Sequence, residues 1–167
     1  MPQPIPTWRD FFPGFTHSDS VEPPDLSNAQ LDMRCAWEGF GGKTLDEACA
    51  MMREHPSAYE EDFMWMGGPA FKFYFPAFDN YLRSLPVATE VDWTKAFLLA
   101  ACIQTHFDYH EDMSGLHEQI ISLCDYVCAH LTRFDSELEL QEEIGARWAD
   151  LRQQVADDAR GIRRTRL

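Results

Sequence analysis

The spacing of hydrophobic residues predicts that most of this chain is α-helical. Near the C-terminus, Ile144, Trp148, Leu151 and Val155 follow one another at intervals of three or four residues, which places them on one face of a helix. Stripes of the same kind occur earlier in the chain. The pattern therefore predicts a single, mainly α-helical domain of about six helices, over residues 28–40, 45–54, 76–84, 93–106, 115–133 and 137–156.

Several helix starts are marked by a capping box, a serine or threonine followed three residues later by a glutamate. In this arrangement the hydroxyl of the capping residue accepts a hydrogen bond from the backbone N–H of the glutamate. The glutamate side chain in turn accepts one from the backbone N–H of the capping residue. Each box therefore predicts one helix boundary. The boxes are Thr44 with Glu47, Ser57 with Glu60, and Ser136 with Glu139.

The most aromatic part of the chain, residues 63–78, interrupts the helical pattern. Phe71, Phe73 and Phe75 occupy alternate positions, and a period of two is typical of a half-buried strand. Pro76 follows, and because proline has no backbone N–H and suits the first turn of a helix, it marks the point where a helix resumes. We therefore expect one short extended segment at 71–75, wedged between helices.

The distribution of prolines divides the chain into three parts. Residues 1–26 contain six of the ten prolines, so this part is expected to form a Pro-rich arm with little regular structure. Its aromatic residues, including Trp8 and Phe11, are expected to pack on the body, because large apolar groups left in water promote aggregation. The helical domain follows over 27–156, and residues 157–167 form an Arg-rich tail.

The chain is strongly acidic, with 28 acidic and 14 basic residues and a net charge of −14. Residues 1–151 carry −17 and the remainder +3. An acidic body repels phosphates and anionic lipid headgroups, so we expect no nucleic-acid partner and no membrane partner. It attracts basic surfaces, which favours a basic protein as the partner. A homo-oligomer whose interface contains the aromatic residues of the arm is a further hypothesis.

The remaining totals favour a cytoplasmic protein. No run approaches the roughly 18 consecutive apolar residues of a transmembrane helix, and the N-terminus lacks the basic and apolar regions of a secretion signal. The five cysteines are an odd number and form no paired framework, so we expect free thiols. No phosphate-binding loop or nucleophile elbow occurs. We therefore predict no cofactor.

One candidate interaction site lies just before the aromatic segment. Glu60, Glu61 and Asp62 precede Trp65, and a carboxyl group beside an apolar ring has a raised pKa, which is common at functional sites. A charged first turn at the N-terminus of a helix explains the same three acids without any function. Both interpretations stay open for these four residues.

One candidate metal or acid–base site lies between the later helices. His106 and His110 are one helical turn apart, and Glu111 follows directly. Imidazole and carboxylate groups at this spacing bind divalent metals on helices. Against a metal site, no His-Glu-x-x-His pattern is present, and Asp112 and Ser114 indicate a break between helices.

The segment Phe-Lys-Phe-Tyr-Phe-Pro-Ala-Phe at 71–78 resembles a motif of an uncharacterised bacterial family, a domain of unknown function. Residues 44–48 resemble a weaker element of the same family, and the likeness covers residues 36–110. This chain has Phe75 where the family pattern has leucine. The resemblance implies a bacterial cytosolic protein, and it carries no activity or catalytic residue to transfer.

Two functions are consistent with these features. The first is an acidic, non-enzymatic interaction module, such as an immunity-type inhibitor or an accessory subunit, whose negative surface covers a basic site on another protein. The alternative is a metal-dependent enzyme built on His106 and His110. The first is favoured because the charge is strongly negative and no catalytic motif is present.

Overall fold

A computed structural model of the chain describes residues 3–12, 31–84, 93–109 and 111–162. All regular structure within these ranges is helical, and no strand occurs in them, which confirms the predicted mainly α-helical class. The chain is divided into two compact units, Met1–Tyr81 and Leu82–Leu167.

The predicted number of about six helices was too low. In the described part of the chain, six helices have ten residues or more, and the others are four-residue helices or a single 3-10 turn, which hydrophobic periodicity over longer windows does not detect. The helices are α1 (Trp8–Phe11), α2 (Leu31–Phe40), α3 (Leu45–Glu54), α4 (Pro56–Tyr59), α5 (Asp62–Trp65), α6 (Gly68–Ser84), α7 (Trp93–Asp108), α8 (His117–Ala129) and α9 (Leu138–Ala159), with a 3-10 helix at Leu131–Arg133.

The predicted extended segment at 71–75 was wrong, because these residues lie inside α6. Phe71 and Phe75 are fully buried, whereas Phe73 between them is only half-buried. The buried rings therefore recur every four residues, which is the helical period. The alternation of aromatic residues suggested a strand only because rings are so frequent in this stretch that they also fill positions outside the buried face.

Pro76 lies within α6 and does not begin it. A proline in a helix interior removes one backbone hydrogen bond and costs about 3 kcal/mol relative to alanine. Burial of the surrounding rings offsets this cost, because each fully buried aromatic side chain contributes roughly 1.5–3 kcal/mol. Tertiary packing therefore holds together a helix that local sequence signals would divide.

Aromatic rings form the core of the Met1–Tyr81 unit. The ring of Phe40, at the end of α2, lies 5.0 Å from that of Phe63 and 5.2 Å from that of Tyr74, between ring centroids. Phe63 also contacts Phe78 at 5.1 Å. The hydroxyl of Tyr74 lies 2.6 Å from the carbonyl oxygen of Phe40 and 2.8 Å from that of Lys43. It therefore donates a hydrogen bond that ties α6 to the end of α2.

The described part of the Pro-rich arm packs against this core. Trp8, Phe11 and Phe12 are buried, and the Phe11 ring lies 5.3 Å from that of Trp37, between centroids. The Phe11 carbonyl also accepts a hydrogen bond from the N–H of Gly67 at 3.1 Å. Most of the remaining arm and the end of the Arg-rich tail lie outside the described residues. The predicted limits of arm, domain and tail therefore stay predictions.

The capping box at Thr44 is confirmed. The Thr44 N–H donates to Glu47 Oε2 at 2.7 Å, and the Glu47 N–H donates to Thr44 Oγ1 at 3.3 Å. The hydrogen bond from the Thr44 backbone lowers the pKa of Glu47, because it favours the ionised carboxylate. The box therefore fixes the start of α3, as the sequence predicted.

The other two boxes were wrong. Helix α4 begins at Pro56, so Ser57 already lies inside it and caps nothing. Helix α9 begins after Glu137, which makes no side-chain cap hydrogen bond. Instead, Asp135 Oδ1 accepts a hydrogen bond from the Glu137 N–H at 2.7 Å. The aspartate before the predicted box therefore shapes the entry to α9, as acidic side chains do in tight turns.

In the Leu82–Leu167 unit, α9 packs against both α7 and α8. The predicted stripe of α9 is confirmed, since its four apolar residues are all buried. The indole Nε1–H of Trp148 donates to the Ala96 carbonyl of α7 at 3.0 Å. Helices α8 and α9 run antiparallel, because Asp125 pairs with Arg152 whereas Cys128, further along α8, reaches the carbonyl of Gly145. None of the described helices has the combined length and hydropathy needed to cross a membrane.

Candidate functional site

The structure brings together two of the three predicted metal-site residues. His106, in the last turn of α7, is buried, and its Nδ1 pairs with Glu111 Oε2. His110 lies outside the described residues. Within the described part of the chain, no three histidine, cysteine or acidic side chains are grouped so as to hold a metal ion. The metal site therefore stays a prediction.

A second histidine–carboxylate pair lies in the same unit. His117, in the first turn of α8, has its Nε2 2.9 Å from Oδ2 of Asp158, near the end of α9. The ring of Phe107 lies 6.3 Å from the imidazole, between centroids. The pair therefore joins the start of α8 to the end of α9, and the aromatic ring restricts the position of the imidazole.

A polar cavity of about 310 Å³ opens beside this pair. It lies where the connection between α7 and α8 meets the end of α9. Gly161 forms that end with a positive φ of 74°, a conformation that favours glycine, and the N–H of Ile162 closes the last turn onto the Asp157 carbonyl at 2.9 Å. The lining residues are Glu111, Asp112, Met113, Ser114, His117, Asp158 and Gly161.

The predicted acidic site lies in the other unit and is only partly at the surface. Glu60 is buried, Glu61 is exposed, and Asp62 and Trp65 are intermediate. These residues occupy α5 and the turn before it. Only Glu61 therefore offers a fully accessible carboxylate, and a partner contact at these four residues stays a prediction.

Asp62 is held in a confined space against α2. A Cβ atom built on Gly39 would lie 2.9 Å from Asp62 Oδ2 and 3.5 Å from Tyr59 Cδ1, so the glycine makes room for the carboxyl group. Burial, together with the negative charges of Glu61 and Asp32, raises the pKa of Asp62 to about 7. The sequence predicted a carboxyl group with a raised pKa in this segment, and Asp62 is that group.

The raised pKa of Asp62 predicts a loss of stability as the pH rises. In the unfolded chain the group ionises near its ordinary value of 3.8, whereas in the folded protein it keeps its proton until about pH 7. The native state therefore binds more protons between these values, and its free energy of unfolding falls across this range. Replacing Asp62 with asparagine should relieve the loss, so that Asp62→Asn is more stable than the wild type near pH 8 by about 1–2 kcal/mol, a figure reduced for solvent screening.

This prediction is checked by chemical denaturation of both proteins at roughly pH 5 and pH 8. The matched control is Asp46→Asn, which removes an exposed aspartate from the first turn of α3. A stability difference between Asp62→Asn and wild type that is the same at both pH values would show that Asp62 ionises alike in the folded and unfolded states.

Buried thiols in the Leu82–Leu167 unit are poorly suited to nucleophilic chemistry. Burial raises the pKa of Cys124 to about 12 and also raises that of Cys128, one turn further along α8. These two cysteines are therefore largely protonated at neutral pH. Because the thiolate is the reactive form, they are poor nucleophiles. They are free thiols, as are Cys35, Cys49 and Cys102.

A third feature is the exposed face of α9. Its apolar stripe is buried against α7 and α8, and the opposite face is open to solvent over about three turns, from Glu139 to Asp150. Arg147, the one basic residue of this stretch, is half-buried and lies off the exposed face. Between Glu139 and Asp150 the exposed residues are acids and alanines: Glu139, Glu142, Glu143, Ala146, Ala149 and Asp150. Arg152, which is exposed just beyond this stretch, pairs with Asp125 of α8.

Sequence reasoning missed the residues that complete the cavity. Both Asp158 and Gly161 lie in the predicted Arg-rich tail, but α9 continues to Ala159. The antiparallel packing of α8 and α9 brings the end of one to the start of the other, so Asp158 meets His117 from 41 residues away. The glycine after the last helical turn was the one local signal for where α9 ends.

Compared with protein-family models, curated proteins and solved structures, the chain matches none of them. The resemblance of residues 71–78 to a bacterial family therefore stays a prediction.

Proposed function

We propose that this protein is an acidic, non-enzymatic interaction module that binds a basic protein, in the manner of an immunity-type inhibitor or an accessory subunit. The observation that carries the proposal is the exposed face of α9, which presents Glu139, Glu142, Glu143 and Asp150 with no basic residue among them. This acidic α9 face lies on the longest helix of the described chain.

The charge of this face suits recognition more than stability. Glutamates at positions 139 and 143 are one turn apart, and like charges at that spacing destabilise an isolated helix by roughly 0.2–0.5 kcal/mol. The buried stripe ending at Val155 anchors α9, and of these acids Glu139 lies in the first turn, where the helix dipole favours a negative charge. A surface of one sign speeds association with an oppositely charged partner and disfavours partners of like charge. The net charge of −14 adds a long-range field of the same sign.

Neutralising the acidic α9 face should weaken partner binding. The test variant carries Glu139→Gln, Glu142→Gln and Glu143→Gln, which changes the net charge by three without changing side-chain size. The partner is first isolated on immobilised wild-type protein at low salt, and its affinity for purified proteins is then measured. We expect a basic partner whose dissociation constant rises roughly tenfold or more for this variant, since each charge-assisted contact contributes about 1.5–3 kcal/mol.

Two further triple variants locate the interaction. Replacing Asp32, Asp46 and Glu54 by their amides changes the net charge equally at exposed positions of the other unit, and little change in affinity is expected. The corresponding variant of Glu60, Glu61 and Asp62 tests the site that the sequence predicted.

Equal binding by wild type and the α9 variant, at all salt concentrations, would contradict the proposal. Stoichiometric metal in protein purified without a histidine tag would instead favour the second candidate, an enzyme built on His106 and His110.

A further inference from the structure

The cavity beside His117 and Asp158 is not explained by the acidic α9 face, because none of its lining residues belongs to that face. Its volume of about 310 Å³ is at the lower end of the range for ligand-binding clefts. It is therefore large enough for one side chain or a small ion, and its chemistry decides which.

Negative charge dominates the lining. Glu111, Asp112 and Asp158 supply three carboxyl groups, and among the described residues no lysine or arginine lines the cavity. The end of α9 adds the negative pole of the helix dipole at Gly161. A concave site lined by one sign of charge concentrates ions of the opposite sign. The ligand is therefore a cation.

Two of these carboxylates are fixed in place by histidines. Glu111 uses Oε2 to pair with His106, and Asp158 uses Oδ2 to pair with His117. In the described part of the chain, the other oxygen of each, Glu111 Oε1 and Asp158 Oδ1, accepts no hydrogen bond. These two residues enter the cavity from different elements, the α7–α8 connection and α9. The arrangement provides two acceptors for a ligand that donates in more than one direction.

The rest of the lining favours an organic cation over a metal ion. Met113 lies in the lining, and the small part of it that stays exposed, 1% of the residue, makes that part of the cavity wall apolar and polarisable. Arginine suits this lining, because its guanidinium group binds carboxylates with several N–H donors and its stem packs on apolar groups.

We propose that this cavity binds an arginine side chain of the basic partner. The guanidinium group donates to Glu111 and Asp158, and the methylene stem lies along Met113. His106 and His117 act as positioning residues that hold the two carboxylates. This inference rests on the proposed function and adds to it an anchor on a different surface from the acidic α9 face.

The test is a titration of the isotope-labelled full chain with N-acetyl-arginine amide. Binding is monitored by NMR through the chemical shifts of the protein's backbone amides. N-acetyl-citrulline amide is the matched probe, because it has nearly the same shape without the charge. We expect saturable shifts centred on residues 111–117 and 158–161 with a dissociation constant on the order of millimolar, typical for a ligand of this size, and no saturation with the citrulline probe.

Variants then assign the binding to the cavity. Asp158→Asn and Glu111→Gln are each expected to weaken binding of the arginine probe roughly fivefold or more, because each removes the charge from one hydrogen-bonded pair. Asp46→Asn, at an exposed position in the first turn of α3 and outside both the cavity lining and the acidic α9 face, is expected to change it less than about twofold. Thermal unfolding of each variant checks that the unit stays folded.

Three results would overturn the inference: shifts that do not saturate, equal effects of the arginine and citrulline probes, or equal weakening by Asp46→Asn and Asp158→Asn. These results would leave the acidic α9 face as a candidate, since that face is tested separately with the whole partner. If the α9 variant bound the partner as tightly as the wild type while the arginine probe still bound the cavity saturably, the acidic α9 face would be rejected as a binding surface. The arginine site would then stand.

Discussion

Replacing Phe75 with alanine is expected to lower the free energy of unfolding by about 3–5 kcal/mol. The ring is fully buried, and it lies 5.7 Å from the ring of Phe71 and 5.9 Å from that of Phe78, between centroids. Its removal costs both the transfer of the ring from water and the cavity that close-packed neighbours cannot fill. The measurement is chemical denaturation with fluorescence or circular dichroism detection.

Phe73→Ala on the same helix is the matched control. This ring is half-buried and lies 4.8 Å from that of its neighbour Tyr74, between centroids, and because it is only half-buried its loss should cost only about 1 kcal/mol. The comparison tests the helical register of α6 directly. If residues 71–75 formed a strand, Phe73 and Phe75 would share one face, and equal losses for the two variants would contradict the helix.

The second large effect is expected at Trp148 in the Leu82–Leu167 unit. The indole is fully buried on α9, and its N–H donates to the Ala96 carbonyl. Trp148→Ala should destabilise the protein by about 3–5 kcal/mol, since it removes the largest buried ring of the unit and its hydrogen bond. Denaturation curves that follow α-helix content give this value.

Trp148→Phe separates packing from hydrogen bonding. Phenylalanine keeps most of the apolar contact but lacks the N–H, so we expect a loss of about 1–2 kcal/mol. Trp37→Ala, which removes a half-buried indole from α2, controls for the loss of a tryptophan as such. If Trp148→Ala cost no more than Trp37→Ala, α9 would not be anchored by this side chain.

The helices that the sequence predicted well are those whose periodicity agrees with their local signals. In α9 the apolar stripe alone was sufficient, because buried residues at intervals of three and four have no other regular explanation. In α3 the capping box at Thr44 and the glycines that follow α2 point to the same boundary. The box at Ser136 was misleading because Asp135, which lies just outside it, already accepts the hydrogen bond of the Glu137 N–H. The pattern of Ser136 and Glu139 alone does not contain that information.

The α6 prediction failed because local rules and tertiary packing disagree there. Alternating phenylalanines and an internal Pro76 both argue against a helix, and each is a sound local signal. Contacts with Phe40 and Phe63, which lie outside α6, decide the outcome. No short window of the sequence contains that information, so the strand was the natural prediction and the helix is the observed structure.

The candidate site was predictable only in its local part. His106 and Glu111 are five residues apart, and the structure places them in contact. His117 and Asp158 come together only because α8 and α9 pack antiparallel, and the cavity exists only at that junction. Likewise, the sequence showed a surplus of acids, but the burial of one α9 face was needed to show which of them are presented together.

The most direct test of charge-guided binding is the association rate constant with the isolated partner, measured by stopped flow as a function of salt. For the wild type we predict a rate constant that falls steeply as salt is added. For the variant of Glu139, Glu142 and Glu143 we predict one that is already about tenfold lower at low salt. The control variant of Asp32, Asp46 and Glu54 should behave nearly as the wild type does. A rate constant that is insensitive to salt and equal for all three proteins would contradict binding through the acidic α9 face.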